Sequence, residues 1–302
     1  MTAQRTDTRA LIVLMVGAAA IGLAPILVRL TETGPAAAGM WRLVFATPLL
    51  ALLTFRPGAP KQDGPAPRLW LGLAGLFFAL DLAFWHYGVT YTSVTNATVL
   101  TNLTPVVVTL AAWLFFKERP KAIFVAGLAL ALTGAVTMAM AHEGGKGTNP
   151  PLGDLLSAIT ALWYGGYFLA IGQARKTANA ARVMFWSSAI GAPLLLLAAL
   201  AMREDLWPDG TGGWAACVGL GVMHVIGQGA IAWALGRLPT ALASVVVFIQ
   251  PVVAAILGWV LFGEPIGLLQ GIGAIVALAG VALAQRSAAK KDTAAATGAE
   301  TA

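Results

Sequence analysis

The second half of this chain repeats the first half. One set of matched residues is 146 positions apart and comprises Pro105 and Pro251, Trp113 and Trp259, Phe116 and Phe262, Glu118 and Glu264, Gly127 and Gly273, Leu132 and Leu278, and Gly134 and Gly280. A second set is 145 positions apart and comprises Trp41 and Trp186, Pro48 and Pro193, Leu49 and Leu194, and Leu50 and Leu195. Agreement of Pro, Trp, Glu and Gly in one register indicates an internal duplication.

The composition identifies the solvent of this chain as a lipid bilayer. Hydrophobic residues make up 58% of the chain and charged residues 11%, whereas soluble domains contain about 25% charged residues. Apolar stretches long enough to cross the hydrocarbon layer lie near 10–30, 36–55, 69–90, 94–116, 121–141, 153–174, 181–202, 213–235, 240–262 and 266–285. The sequence therefore predicts an all-α membrane protein with ten transmembrane helices.

Each half contains five of these stretches, and five is an odd number. The second half must therefore enter the membrane from the opposite side, which makes the halves inverted repeats. Inverted repeats are typical of secondary transporters, whose substrate site lies between the halves near the bilayer midplane.

Positive charge predicts the orientation. If the N-terminus is cytoplasmic, fifteen of the 19 Lys and Arg residues fall at the cytoplasmic ends of the spans, as expected for short cytoplasmic loops. We expect a multi-pass protein of a bacterial inner (plasma) membrane with both termini in the cytoplasm. Membrane orientation accounts for the net charge of +6, so no nucleic-acid partner is expected, and the expected partners are the lipid bilayer and a small-molecule substrate.

These patterns divide the chain into five segments. We predict a cytoplasmic N-terminal tail (1–9), a first five-helix repeat (10–141), a periplasmic linker (142–152), a second five-helix repeat (153–285) and a disordered cytoplasmic tail (286–302). A monomer and a homodimer are both compatible with the sequence.

The fourth predicted span carries a polar stripe. Tyr91, Thr95, Thr98, Asn102, Pro105 and Thr109 follow at steps of three or four, which puts them on one helix face. The corresponding face of the ninth span carries Ser244, Phe248, Pro251 and Ala255. The stripes predict two walls of a cavity, with bonding of hydroxyls to their own helix as the alternative. Pro105 and Pro251 leave the carbonyls of Thr101 and Val247 without a helical partner, so these prolines could support gating or substrate binding, or form static kinks.

Several side chains are predicted to reach the midplane from different spans. They are Phe78, Asn102, Trp163, His224 and Phe248. Tyr164 and Tyr167 extend the aromatic set along the sixth span, and Gln228 continues the face of His224 at i+4. Aromatic rings beside amide and imidazole groups suit an amphipathic organic solute, although many aromatic residues in membrane bundles serve for packing.

Two charges lie within predicted spans at similar depth, Arg42 and Asp81. An isolated charge there would be unfavourable, so we predict that they pair. The pair could be functional, as an outer gate or as a site for a substrate carboxylate and a proton. Alternatively, it could be a permanent structural clip. The motifs of metalloproteases, nucleotide-binding loops, metal clusters and serine hydrolases do not occur. We therefore predict no enzyme activity, no cofactor and no metal site.

The sequence resembles the EamA family of the drug/metabolite transporter superfamily. The resemblance covers roughly residues 10–285 and rests on three features: Pro in the fourth helix of each repeat, the Trp-(Leu/Val)-(Phe/Leu)-Phe-x-Glu pattern after it, and Trp41-Arg42 in the second helix. One departure is that Ser187 stands where the second repeat would match Arg42. The resemblance implies a carrier, and the aromatic midplane is similar to what an exporter of aromatic or hydrophobic amino acids would need. Proton-coupled efflux of cationic drugs is the alternative.

Overall fold

The computed structural model describes residues 7–58, 66–92, 94–117, 119–140, 148–262 and 267–298. Every regular element in these ranges is a helix. The helices are α1 (Thr8–Ile21), α2 (Ala24–Arg29), α3 (Pro35–Phe55), α4 (Arg68–Tyr91), α5 (Val94–Thr101), α6 (Thr104–Phe116), α7 (Ala122–Met140), α8 (Pro150–Ala174), α9 (Ala180–Ala201), α10 (Thr211–Met223), α11 (Gly229–Leu235), α12 (Thr240–Val246), α13 (Ile249–Phe262) and α14 (Leu268–Gly298). A short π-helical segment, His224–Gln228, joins α10 to α11.

Seven segments are long and apolar enough to cross a membrane. They are Thr8–Arg29, Pro35–Phe55, Arg68–Tyr91, Pro150–Ala174, Ala180–Ala201, Thr211–Leu235 and Thr240–Leu257. Three shorter apolar helices, Thr104–Phe115, Ala122–Thr137 and Gly271–Ala284, lie where the sequence predicted three further spans. The all-α membrane class is confirmed for the described residues, and the number of ten spans stays a prediction.

Helix packing follows the internal duplication. The second helices of the two repeats, α3 and α9, pack against each other, and so do the fifth helices, α7 and α14. The third helix of the first repeat packs on the first helix of the second repeat (α4 on α8). The reciprocal pair is also in contact, since α1 packs on the π-helical segment and α11, and α2 packs on α10. The two repeats are thus related by an approximate twofold arrangement, as inverted repeats require.

The pair α7 and α14 is held by direct backbone contact. A methyl group added at Gly127 would lie 2.6 Å from the backbone nitrogen of Ala284, and Gly134 meets Ala277 in the same way. Small residues allow this close approach between membrane helices. Helix α14 continues to Gly298, into the segment predicted as a disordered tail, because that segment is rich in the strong helix former Ala.

Three of the irregularities in the spans follow from proline. Pro105 and Pro251 cannot donate the backbone hydrogen bond of a continuous helix, and the fourth span is interrupted between α5 and α6 and the ninth between α12 and α13. The first span is interrupted at Gly22 in the same way, with Pro25 in the first turn of α2. The eighth span contains the π-helical segment and no proline. Four spans therefore have irregular backbone, two in each repeat.

Candidate functional site: a polar cavity between the repeats

All four irregular spans border one cavity. Gly22 lies at the break of the first span, Asn102 at the break of the fourth, Gln228 in the π-helical segment and Val247 at the break of the ninth. Irregular backbone within a membrane is tolerated where it borders a cavity, and discontinuous helices form the substrate sites of many transporters. In this conformation the cavity has a volume of about 40 Å³, which is room for about three waters.

The side chains of this cavity are polar on several sides. The polar and charged members are Arg42, Asp81, Thr98, Thr101, Asn102, Tyr164, Gln228 and Gln250, and the larger apolar members are Leu82 and Trp85. Six of the residues predicted from the sequence are therefore brought together here, namely Arg42, Asp81, Thr98, Asn102, Tyr164 and Gln228. Thr101, Gln250 and Trp85 were not predicted as site residues. Gln250 could have been noticed, because it is a polar residue beside a helix-breaking proline in an otherwise apolar span.

Arg42 and Asp81 are both buried in this cavity, with exposed fractions of 2% and 6%. They do not form a direct ion pair in this conformation. No nitrogen of Arg42 lies within 4.0 Å of an oxygen of Asp81, whereas Arg237 and Asp7 are 3.8 Å apart. The Arg42 guanidinium lies instead 5.7 Å from the centre of the Phe78 ring, a distance at which the ring quadrupole attracts a cation. The ion pair predicted from equal depth is thus two buried charges that share a cavity without direct contact.

Four residues that border the cavity each carry a buried polar atom without a hydrogen-bond partner within the described parts of the chain. These atoms are Arg42 Nε, Asn102 Oδ1, Gln228 Oε1 and Gln250 Nε2. An unpaired buried polar group is destabilising by about 1–3 kcal/mol, so such groups are rare and require an explanation. Two donors and two acceptors on residues that border one cavity indicate binding of a polar ligand.

Aromatic rings form a layer behind the cavity. The Phe78 ring stacks on Tyr167 at 4.4 Å and lies 5.1 Å from the His224 ring. His224 Nε2 is 3.1 Å from Ser188 Oγ. Tyr164 connects this layer to the cavity, since its hydroxyl accepts a 3.4 Å hydrogen bond from Gln228 Nε2. Phe78 and His224 therefore support the cavity wall and do not border the cavity themselves.

Other predicted residues lie elsewhere. Trp163 packs beside Phe77 and Phe84, with ring centres 6.4 and 6.0 Å away, because neighbouring residues on α8 face different directions and Tyr164 takes the cavity side. Phe248, Pro105, Pro251 and Ser244 are buried but do not border the cavity. The side chain of Thr95 lies outside the described residues.

Each of the two carbonyls beside the prolines accepts one hydrogen bond from its own helix break. The Thr101 carbonyl accepts a hydrogen bond from the Thr104 hydroxyl at 2.6 Å. The Val247 carbonyl accepts one from the Gln250 backbone nitrogen at 2.8 Å. Each helix break closes into a tight turn that supplies this local donor, so neither carbonyl is without a partner, and a role in gating or substrate binding stays a prediction.

Comparison with known proteins agrees with this architecture. A model of the EamA-like transporter family matches residues 8–140 and, again, residues 151–285. The chain belongs to the EamA-like transporter family. The predicted family is therefore confirmed, and the chain is a membrane transporter of this type.

Relatives of this EamA-like transporter include two proteins aligned over most of both chains. An uncharacterized transporter of Archaeoglobus fulgidus is 26% identical over 81% of this chain and 86% of its own length. The pseudopaline exporter CntI of Pseudomonas aeruginosa is 25% identical over 81% of this chain and 84% of its own length. A solved crystal structure has the same fold, with a TM-score of 0.75, 20% identity and coverage of 92% of this chain and 98% of that chain.

At one end of this EamA-like transporter, the connection between α9 and α10 is hydrogen-bonded to α3 and α4. We name this the outer end, after the predicted orientation; α3 begins and α4 ends there. The Glu204 carboxylate accepts hydrogen bonds from the backbone nitrogens of Ala36 at 3.1 Å and Ala37 at 2.8 Å, and from the Tyr87 hydroxyl. Two more bonds join Gly34 N to the Asp205 carbonyl at 3.0 Å and Trp41 Nε1 to the Leu206 carbonyl at 2.7 Å. This outer latch, residues 204–206, was not predicted, since three of its five partners are backbone nitrogens that sequence patterns do not mark.

Proposed function

We propose that this protein exports amino acids, preferentially aromatic or hydrophobic ones, or related small metabolites by alternating access through the cavity between its repeats. The observation that carries the proposal is the burial of one basic side chain, Arg42, and one acidic side chain, Asp81, around the same cavity. A zwitterion presents a carboxylate to the first and an ammonium group to the second. A ligand with a single charge would leave one buried charge uncompensated, which is unfavourable in a membrane.

The remaining cavity groups fit the rest of such a solute. The unpaired amide atoms of Asn102, Gln228 and Gln250 supply donors and acceptors for the carboxylate and ammonium groups. Tyr164 and Trp85 supply ring surface, on which an aromatic side chain stacks with about 0.5–1.5 kcal/mol beyond its buried area.

The size of the cavity supports alternating access. Small-molecule sites commonly have volumes of about 300–1,000 Å³, whereas the volume of this cavity is about 40 Å³. Substrate entry therefore requires the walls to separate. The four helix irregularities lie in those walls, and short breaks of this kind act as hinges.

The direction of transport and the orientation are part of the same proposal. One relative is named as an exporter, which supports export by this chain. The excess of Lys and Arg at the end where α1 begins supports a cytoplasmic location of both termini in an inner membrane.

One observation favours a second function, efflux of cationic compounds. Asp81 has no nitrogen of Arg42 within 4.0 Å in this conformation. A buried carboxylate without a bound guanidinium group is a suitable partner for a hydrophobic cation and for a coupling proton.

Transport in proteoliposomes separates the two functions. Purified full-length protein is reconstituted, and flux of labelled phenylalanine and of labelled tetraphenylphosphonium is measured with and without a pH gradient. The proposal expects saturable phenylalanine flux that is lost in both Arg42→Gln and Asp81→Asn. Arg56→Gln, which removes an exposed cation at the end of α3, serves as the control and should retain flux. Tetraphenylphosphonium flux that survives Arg42→Gln but not Asp81→Asn, without phenylalanine flux, would instead support cation efflux.

A further inference from the structure

A second, larger cavity opens at the end of the bundle opposite the outer latch. We name this the inner end; α1 begins and α8 ends there. The inner-end cavity has a volume of about 690 Å³ and lies between α6, the C-terminal turn of α8 and the connection from α11 to α12. None of its bordering residues borders the cavity between the repeats, so it is a separate feature of the molecule.

Four cationic side chains border the inner-end cavity, and no acidic residue of the described chain does. The cations are Arg119, Arg175, Lys176 and Arg237. They come from three different connections along the chain, and the neutral polar groups Gln173 and Thr240 lie among them. Convergence of four positive charges on one concavity creates a strongly positive potential, because the protein walls focus the field.

Two of these arginines are fixed in position by the protein. The Arg175 guanidinium donates to the carbonyl of Ala232 at 2.9 Å and to the carbonyl of Ala178. Arg237 stacks on the Trp233 ring at 3.7 Å and donates to the Trp233 carbonyl at 3.2 Å. Orientation before binding reduces the entropy lost when a ligand binds.

The two fixed arginines also repel each other. Burial and the nearby charge of Arg237 lower the pKa of the Arg175 guanidinium from its ordinary value. Asp7 offsets part of this charge through its 3.8 Å contact with Arg237, but both of these side chains are more than a third exposed, where an ion pair contributes about 0–1 kcal/mol. An anion bound between the arginines would relieve the repulsion.

We propose that the inner-end cavity binds a phosphate group, carried either by the head group of an anionic phospholipid or by a soluble phosphate compound. Guanidinium groups match the tetrahedral oxygens of phosphate with paired hydrogen bonds. Basic pockets between helices on the cytoplasmic side of a membrane are suited to anionic head groups. The volume lies within the range of about 300–1,000 Å³ that is common for small-ligand sites.

Membrane orientation alone would distribute cations over this end of the bundle without gathering them around a cavity. Arg56 and Arg68 supply the comparison, since both lie at the same end, are exposed and do not border the cavity. They therefore provide a control in which the same charge is removed from the same end of the molecule.

Calorimetric titration of the full-length protein in an uncharged detergent tests the site. The probes are dihexanoyl phosphatidylglycerol, dihexanoyl phosphatidylcholine, glycerol 3-phosphate and inorganic phosphate. The test variant is Arg119→Gln with Lys176→Gln, two exposed positions whose replacement leaves the fixed arginines intact. The control variant is Arg56→Gln with Arg68→Gln. We expect the dissociation constant of phosphatidylglycerol to rise about tenfold in the test variant, equivalent to about 1.4 kcal/mol, and to change less than twofold in the control.

The probes distinguish the source of the phosphate. Saturable binding of phosphatidylglycerol, without binding of glycerol 3-phosphate or inorganic phosphate, supports a lipid head group. Saturable binding of the soluble probes that is weakened in the test variant supports a soluble phosphate compound. Equal weakening in the test and control variants, or no saturable binding of any probe to the unaltered protein, overturns the proposal.

Discussion

At the scale of single residues, the cavity between the repeats is asymmetric although the fold is nearly symmetric. Arg42 lies in the second helix of the first repeat, and its counterpart in the second repeat is Ser187. Ser187 is buried and donates to the Met184 carbonyl of its own helix at 3.0 Å, so it brings no charge. Both charges of the cavity therefore come from the first repeat. Such asymmetry suits a solute with two chemically different ends.

The energetic dependence between these two charges is testable by a double-mutant cycle. Removal of either partner leaves the other buried charge unbalanced, which destabilises a protein by about 3–5 kcal/mol when the partners are in contact and by less at a longer distance. We expect Arg42→Ala and Asp81→Ala each to lower the melting temperature of the purified protein and the double variant to recover part of the loss. The coupling should exceed the deviation of about 0.3–0.5 kcal/mol seen for independent sites.

The control cycle for that prediction combines Arg42→Ala with Asp209→Ala. Asp209 is an exposed carboxylate in the connection after α9, so its effect should add to that of Arg42. Additive effects in both cycles would mean that Arg42 and Asp81 act independently.

At the scale of helices, the sequence predicted where the elements lie more successfully than which side of each element faces the cavity. The breaks before Pro105 and Pro251 follow from local chemistry, because proline lacks the backbone donor. The orientation of α8 about its own axis does not follow from local chemistry. Periodicity shows that Trp163 and Tyr164 point in different directions, but the choice between them depends on the neighbouring helices, and the prediction named both.

The eighth span illustrates a second limit of sequence patterns. His224 and Gln228 are four residues apart and were predicted to share one helix face. They lie in a π-helical segment, whose wider turn contains an extra residue and shifts this register. Gln228 therefore borders the cavity, whereas His224 packs against Phe78. Because no proline marks the segment, the sequence alone gave no sign of the shift.

The outer latch is an element-scale contact that predicts a gating effect. The Glu204 carboxylate caps the positive N-terminus of α3, an interaction worth about 0.3–1 kcal/mol at an exposed helix end and up to about 2 kcal/mol where partly buried. Glu204→Gln retains the shape but removes the charge. We expect it to loosen the outer end, so that Thr98→Cys, in a background with Cys217→Ser, reacts faster with a water-soluble maleimide.

Asp205→Asn is the matched control for the latch, because Asp205 contacts Gly34 through its backbone carbonyl and not through its carboxylate. It should leave the labelling rate of Thr98→Cys unchanged. If both substitutions accelerate labelling equally, or neither does, the Glu204 carboxylate does not hold the outer end closed.

At the scale of the whole molecule, the reciprocal packing of the two repeats is compatible with an inverted topology. The contact of α3 with α9 joins equivalent helices of the two repeats. The contact of α4 with α8 has its counterpart between the first span (α1 and α2) and the eighth (α10, the π-helical segment and α11). If each repeat crosses the membrane five times, equivalent connections in the two repeats must lie on opposite sides. The connections after α3 and after α9 are equivalent, and they supply a matched pair of positions, Pro57 and Met202, both exposed and 145 positions apart.

Labelling of this pair in intact cells tests the inverted topology and the orientation together. In a background with Cys217→Ser, we expect Met202→Cys to react with a membrane-impermeant maleimide in intact cells. Met202 lies two residues before the outer latch, at the end of the molecule that the predicted orientation places outside the cell. Pro57→Cys should react after permeabilisation but not before it, since the predicted orientation places its connection on the cytoplasmic side with most of the Lys and Arg residues. Labelling of both positions from the same side would contradict five crossings per repeat. Labelling of Pro57→Cys alone in intact cells would retain the inversion but reverse the orientation, which would move the phosphate site proposed at the inner end to the outside of the cell.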